Sequence, residues 1–367
     1  MSLGGKISKD SALEPRIAAI DLFCGVGGLT RGLERAGIDV KLGVDIDSAC
    51  EYPYLANNDA AFLLKSVADL EVVDLTSKLS GAEYTLLAGC APCQPFSTYQ
   101  QKSGPTDERW HLLGHFERLA GELNPDFITM ENVPNLARQS VFTKFVTELE
   151  ALNFHVTYGV VNCAEFGVPQ QRQRLVLLAS KLGPIALLRT KTKRKTVRQA
   201  IGGLPPIEAG EAYDSDPLHQ ASELSNLNKR RIRASVPGGT WRDWNQELVA
   251  ECHKRETGKT YPGVYGRMEW DQPAPTMTTQ YFGFGNGRFG HPEQDRAISL
   301  REGAILQSFP KSYKFVRKGD PIYCKTIGRL IGNAVPVKLA EAIGKSIVAH
   351  VASHSGPRKR QLNDWHD

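Results

Sequence analysis

The stretch Ile17-Ala-Ala-Ile-Asp-Leu-Phe-Cys-Gly-Val-Gly-Gly28 decides the architecture. Its first seven residues form a short apolar run, the pattern of a parallel strand buried on both faces. A glycine turn follows, then a helical stretch to Ala36 that Gly37 closes. Strand, glycine turn and helix in this order place a nucleotide-type ligand against backbone at a helix N-terminus. Asp45, 20 residues after Gly25, ends a second strand-like segment over 40–46. An acid there accepts hydrogen bonds from ribose hydroxyls. Thr30 stands where the third glycine of G-x-G-x-x-G belongs, so on this stretch alone a purely structural turn stays open. Asp69, after the next helix, either meets an adenine amino group or is a surface acid.

Outward from this unit the pattern repeats. Strand-like runs recur at 85–89, 127–130 and 174–179, with an amphipathic helix over 141–152. Repeated strand–helix units predict an α/β fold, a doubly wound and mostly parallel sheet with ligands at the carboxyl ends of its strands. This first part spans 14–188. From 189 to 326 the chain is rich in Gly, Pro and turn residues, which predicts a smaller, irregular second domain and hinge. A helical pattern returns over 327–352 and is placed to complete the first domain.

Composition agrees with a folded chain of this size. The 367 residues are 41% hydrophobic and 23% charged, which excludes global disorder. No apolar run approaches the roughly 18 residues that span a bilayer. The start, Met1 to Gly5, is small and polar and reads as no export signal. Seven scattered cysteines, an odd number, fit a reducing cytoplasm better than a disulfide scaffold. The net charge of +5 is concentrated: residues 189–260 hold 14 Lys and Arg against nine Asp and Glu, and the remainder is neutral. Two clusters stand out. One contains Lys191, Lys193, Arg194 and Lys195; the other contains Arg230, Arg231 and Arg233. Either is a solvated run taken alone; their concentration in one segment points to phosphate contact.

Three loops at strand ends carry reactive residues. The first is Gly89-Cys90-Ala91-Pro92-Cys93-Gln94-Pro95-Phe96-Ser97, in which two prolines fix the backbone around Cys93. That suits a nucleophile, provided a positive neighbour or helix amides favour the thiolate. Cys90-x-x-Cys93 also fits a redox pair, half a zinc site or structural thiols; a full zinc site needs a second pair, and the other cysteines are isolated. The second loop is Met130-Glu131-Asn132-Val133-Pro134. Its acid is placed as a general acid or a partner for a base edge, or simply pairs with a lysine. The third is Gln171-Arg172-Gln173-Arg174, whose alternating arginines point the same way on an extended segment and suit a carboxylate, phosphate or carbonyl oxygen. His111 and His115 lack the intervening Glu of H-E-x-x-H and read as solvated. No metal is expected.

Taken together, Asp-Leu-Phe-x-Gly-x-Gly-Gly, Pro-Cys-Gln-x-Phe-Ser, Glu-Asn-Val, Gln-x-Arg-x-Arg and Gly332-Asn333-Ala334-Val335 resemble the cytosine-5 DNA methyltransferase family, in its usual order, over about 17–351. Arg301-Glu-Gly-Ala-Ile-Leu-Gln-Ser-Phe-Pro310 resembles the segment before the family's final motif. The resemblance places a target-recognition region over about 190–275. It implies S-adenosyl-L-methionine as cofactor and S-adenosyl-L-homocysteine as product. Phe23, Gly25 and Gly27 would lie along the cofactor, Asp45 and Ile46 at the ribose and adenine, Asp69 at the adenine, and Pro92, Asn333 and Val335 would close the pocket. Asp45 is shorter than the family's frequent Glu, and Ile46 stands where an aromatic ring is frequent. Cys93 would be the nucleophile, with Gln94 beside it; Glu131 would meet ring nitrogen 3 and the exocyclic amine; Arg174, with Arg172, would contact the carbonyl oxygen. Ser97, the two basic clusters, Trp241 and Arg242 would face double-stranded DNA. A monomer with no membrane contact, encoded by a bacterium or phage, is the implied context. An RNA-methylating relative is the alternative, disfavoured because no cysteine here is followed by Phe-Thr. A nicotinamide-dependent oxidoreductase leaves Cys93, Glu131 and Arg174 unexplained.

Overall fold

A computed structural model describes residues 16–92, 111–189 and 192–354. Cys93, Gln94, Ser97 and Lys191 lie outside the described residues. The elements run β1 (Ile17–Leu22), α1 (Gly28–Arg35), β2 (Asp39–Asp45), α2 (Glu51–Leu55), β3 (Ala61–Leu64), α3 (Val72–Leu79), β4 (Tyr84–Gly89), α4 (His111–Leu123), β5 (Phe127–Asn132), α5 (Ser140–Ala151), β6 (His155–Asn162) and β7 (Gln173–Ser180). Short pieces follow: α6 (Val197–Ile201), β8 (Ala212–Tyr213), β9 (Asp216–Gln220), α7 (Asn226–Ala234) and α8 (Glu251–Lys254). The chain then forms α9 (Leu300–Leu306), α10 (Cys324–Asn333) and α11 (Val337–His354).

Seven strands form one sheet in the order β3-β2-β1-β4-β5-β7-β6. Strands β1 to β5 are parallel, whereas β7 is antiparallel to both β5 and β6. The order reverses between β1 and β4, so the crevice for a ligand opens beyond their carboxyl ends. The sheet is covered on both faces. Alternate residues of β1 divide between two cores: Ile17 and Ala19 pack with α1 and α11 residues such as Leu33, Ile343 and Ile347, while Ala18, Ile20 and Leu22 pack with Leu75, Phe116 and Phe145 from α3, α4 and α5. The helical tail therefore does return to the first part of the chain. Its approach is close: a side-chain carbon on Gly32 would stand 2.2 Å from Ala340 Cβ and 2.6 Å from the Val337 carbonyl oxygen.

A third core joins the glycine turn to the later chain. Val26 and Cys50 are buried with Val197, Met268, Tyr281, Leu300, Phe309 and Ile331. Helix α9 is anchored there by two ion pairs. Arg296 bonds both oxygens of Glu302 at 2.7 and 2.8 Å, and Arg301 bonds both oxygens of Asp216 at 2.6 and 2.9 Å. Burial alone would raise the Glu302 carboxyl, but the Arg296 hydrogen bonds and charge outweigh it and hold it at about 2. The folded pKa is depressed, so this stabilisation is complete above the ordinary value of 4.5 and is lost as pH falls toward about 2. Arg296→Leu strands the buried carboxylate at neutral pH. It is expected to cost roughly 3–5 kcal/mol in denaturant unfolding; an unchanged midpoint would show that the pair does not anchor α9.

Candidate active site

The glycine turn after β1 is built from left-handed backbone. Phe23, Gly25 and Gly27 have φ of 57°, 52° and 84°. At Gly25 a side-chain carbon would stand in open space, and at Gly28 it would lie 2.3 Å from the Val335 carbonyl oxygen. The turn is thus open on one side and closed by the segment between α10 and α11 on the other. Asp45, at the end of β2, accepts from Gly25 N at 2.8 Å and from Asp47 N at 2.9 Å. Burial raises its carboxyl above the ordinary value. Ile46 beside it is 73% exposed and offers an apolar surface at the strand end. Asp69 is exposed on a short turn after β3, Pro92 is exposed after β4, and Asn333 is exposed at the end of α10. Asp45 and Ile46 thus stand at the carboxyl end of β2, Asp69 beyond that of β3 and Pro92 beyond that of β4. Burial pushes the Cys24 thiol of the same turn well up, which makes it inert.

Glu131 lies at the end of β5 and is only 3% exposed. Its Oε1 is 2.8 Å from Arg174 Nε, and its Oε2 accepts from the Cys90 thiol at 3.2 Å. The next residue, Asn132, is buried and donates from Nδ2 to the Ala91 carbonyl oxygen at 3.0 Å. Its Oδ1 accepts from Val133 N at 2.8 Å. Asn132 therefore ties the strand that carries the acid to the loop that leads to Cys93. The sequence contained Asn132 in a quoted motif without showing this bond, because it depends on the pairing of β4 with β5.

Arg174 belongs to β7, and Arg172 lies just before it, its backbone N donating to Gln170 O. Arg172 is buried and donates to the carbonyl oxygens of Met277 at 2.7 Å and Gly332 at 3.0 Å. Burial, reinforced by the Arg174 charge, pulls its guanidinium down to about 9. Gln170 extends this strut: its Nε2 donates to Gln307 Oε1 at 2.9 Å, and its Oε1 accepts from Met277 N at 2.8 Å.

The nucleic-acid candidates divide. Lys193, Arg194 and Lys195 are exposed. Arg230 and Arg233 are exposed and paired with Glu247 and Asp295. Arg242 donates to Lys259 O and lies over the Trp241 ring. Two expectations are corrected. Arg231 is buried, donates to Leu248 O and Asn228 Oδ1, and lies over Tyr265, so its charge holds α7 in place. Trp241 is buried, stacks on His253 and donates to Tyr261 O at 3.0 Å, so it is a core residue of this segment. Among the described residues no group of three or more His, Cys, Asp or Glu is placed to hold a metal, and no helix is long and apolar enough to cross a membrane.

A doubly wound sheet, a left-handed glycine turn and a buried acid paired with an arginine at a strand end are the architecture of the α/β enzymes that bind ligands at the carboxyl ends of their strands. Residues 17–349 match the family of C-5 cytosine-specific DNA methylases. The chain is 52% identical over 336 residues to the Type II methylase M.HgiDII of Herpetosiphon aurantiacus, covering 90% of this chain and 94% of that protein. It is 32% identical over 346 residues to the Type II methyltransferase M.Eco47II of Escherichia coli, covering 90% and 78%. Among solved structures, a prophage-encoded E. coli protein assigned as a DNA modification methyltransferase superposes with a TM-score of 0.71 at 23% identity, covering 92% and 99%. The Entamoeba histolytica methyltransferase EhMeth superposes with a TM-score of 0.62 at 15% identity, covering the same shares. The chain belongs to the C-5 cytosine-specific DNA methylase family and is a DNA (cytosine-5) methyltransferase.

Arg172→Leu removes the side-chain donor from the buried Met277 carbonyl oxygen and leaves Gly332 O only the longer bond from Gln307 Nε2 at 3.4 Å, at about 1–3 kcal/mol for a stranded carbonyl. A lower thermal midpoint is expected, measured by calorimetry; an unchanged midpoint would remove Arg172 from the role of strut.

Proposed function

We propose that this enzyme takes the methyl group of S-adenosyl-L-methionine and places it on carbon-5 of a cytosine flipped out of a specific double-stranded DNA sequence. The observation that carries this reading is the buried Glu131 carboxyl, placed between Arg174 and Cys90 and tied through Asn132 to the Cys93 loop.

The residues fit the cofactor. Phe23, Gly25 and Gly27 supply a left-handed backbone turn that is open at Gly25, and Asp45 keeps lone pairs for ribose hydroxyls while holding Gly25. Ile46 and Asp69 would hold the adenine, with Pro92, Asn333 and Val335 around it. The cofactor supplies an electrophilic methyl group on a positively charged sulfur.

Carbon-5 of cytosine is a poor nucleophile until the ring is activated. The Cys93 thiolate forms a bond to carbon-6, and the ring electrons move toward nitrogen 3, leaving an enamine that is nucleophilic at carbon-5. Glu131 hydrogen-bonds nitrogen 3 and the exocyclic amine, which stabilises the adduct. Arg174 orients Glu131 and meets the carbonyl oxygen. Arg172 supports this site through the backbone. Loss of the carbon-5 proton and breakage of the Cys93–carbon-6 bond restore the aromatic ring. Extrusion of the base costs a few kcal/mol, which contacts from the target region over 189–326 offset. Lys191, Lys193, Arg194 and Lys195 are the phosphate contacts of this reading, with Arg230 and Arg233 exchanging their carboxylate partners for phosphates.

Bisulfite sequencing of a plasmid grown with the enzyme, in a host without cytosine methylation, tests the reaction. Protected cytosines in one sequence context are expected, absent with Cys93→Ala, while that variant keeps cofactor binding in calorimetry. Turnover by Cys93→Ala at the wild-type rate would overturn the covalent mechanism. Neutralising 191 and 193–195 is expected to weaken DNA binding and to flatten its salt dependence by about 0.9 in log–log slope per lost phosphate contact. An unchanged slope would reduce that cluster to a linker.

A further inference from the structure

The mechanism above leaves the Cys90 thiol unused, yet the fold places it against the acid. In the parallel pairing of β4 with β5, Gly89 is opposite Met130. Cys90, directly after β4, therefore stands level with Glu131, which is still within β5 and paired with Val176 of β7. Position 89 cannot give way, because a side-chain carbon there would meet Leu22 O and the Phe116 ring at 2.8 Å. One residue further, Asn132 clamps Ala91 at 3.0 Å. Between these fixed points the Cys90 thiol lies 3.2 Å from Glu131 Oε2, the oxygen that Arg174 Nε does not face.

We infer that Cys90 is a positioning residue for methyl transfer, its thiol donating a hydrogen bond to Glu131 Oε2 so that the carboxyl presents a fixed edge to the cytosine ring. This rests on the assignment of Glu131 as the group that meets nitrogen 3. With Arg174 at one oxygen and the thiol at the other, rotation of the carboxyl is opposed at both ends. As Cys93 adds to carbon-6, the proton that Glu131 shares with nitrogen 3 moves onto the ring, while Cys90 and Arg174 keep the carboxyl in place. The Cys90 proton stays on sulfur throughout, and no bond to Cys90 forms or breaks.

The test compares wild type, Cys90→Ala, Cys90→Ser and Glu131→Gln, using unmethylated plasmid DNA and radiolabelled methyl donor. Cys90→Ala is expected to lower kcat about fivefold, the worth of one hydrogen bond, with KM for DNA unchanged. Cys90→Ser, which keeps a donor, should recover most of kcat. Thermal midpoints near wild type in both Cys90 variants would separate this from misfolding. If either variant unfolds, an infrared difference between cysteine-90-labelled and unlabelled wild type decides instead: a lowered S–H stretch supports the bond, and a free-thiol stretch overturns it. Cys90→Ala at wild-type kcat, while Glu131→Gln is inactive, would overturn the role of Cys90 alone. So would Cys90→Ser being as slow as Cys90→Ala. Wild-type turnover by Glu131→Gln would instead overturn the assignment of Glu131, and this inference with it.

Discussion

The Val335 carbonyl oxygen sits 2.3 Å from where a side-chain carbon on Gly28 would stand. Much of the fold depends on that approach, because it joins the turn after β1 to the segment between α10 and α11. Gly32 and Gly344 extend the contact along α1 and α11: a side-chain carbon on Gly344 would lie 2.6 Å from Ala36 Cβ. Tyr313 reaches the same turn from a third direction, its hydroxyl donating to Val26 O at 2.5 Å. A turn held from the two sequence-distant segments around 313 and 335–344 is preorganised, so ligand binding need not order it. The glycines here serve close packing as much as backbone freedom, since Gly28 and Gly32 lie outside the left-handed region that Gly25 and Gly27 occupy.

Three buried carboxyls show how the fold separates structural acids from a working one. Glu302 has both oxygens bonded by Arg296 and is held strongly ionised. Asp21 has no cation; its Oδ2 accepts from Thr30 N and Oγ1 at the start of α1, and burial raises it to about 7. Glu302 is fully engaged in holding α9, whereas Asp21 holds α1 through Oδ2 alone, its buried Oδ1 having no hydrogen-bond partner. Glu131 has a cation at one oxygen and a weak thiol donor at the other, at the end of a strand that faces the cleft. Its lone pairs are only partly used, so it can take a further partner without abandoning the ones that orient it.

The legibility of the sheet followed the position of each strand within it. Strands β1, β4, β5 and β7 are central, are buried on both faces, and read as continuous apolar runs, and β2 keeps enough of that pattern to be found. The two that escaped, β3 and β6, are the two edges. Strand β3 is four residues long with no fully buried side chain, and β6 is mostly exposed with a glycine at its centre. An edge strand has no need of an apolar run, so composition does not mark it. Site residues followed a similar rule. Asp45, Glu131 and the glycines of the turn were readable because strand ends and turns expose them to pattern. The burial of Arg172 was not, because the carbonyls it satisfies come from 105 and 160 residues away. Trp241 and Arg231 misled in the same manner: an aromatic and an arginine within a basic segment resemble a nucleic-acid surface until His253, Tyr265 and Leu248 are packed against them.

That misreading bears on how the target region attracts DNA. Counting cations overstates the charge available to phosphates, because this fold uses arginine as an internal scaffold. Arg231, Arg267, Arg296 and Arg301 are all buried and are spent on carbonyl oxygens or carboxylates. The exposed members are mostly paired: Arg198 with Asp271, Arg230 with Glu247, Arg233 with Asp295. Exposed pairs of this kind are worth about 0–1 kcal/mol, so a phosphate displaces the carboxylate at little cost. The run at 193–195 concentrates exposed charge in three consecutive residues, next to the helix α6 that packs into the core shared with the glycine turn. In the proposed reading, attraction to the polyanion is therefore anchored beside this shared core, and the paired arginines exchange partners once the duplex has arrived.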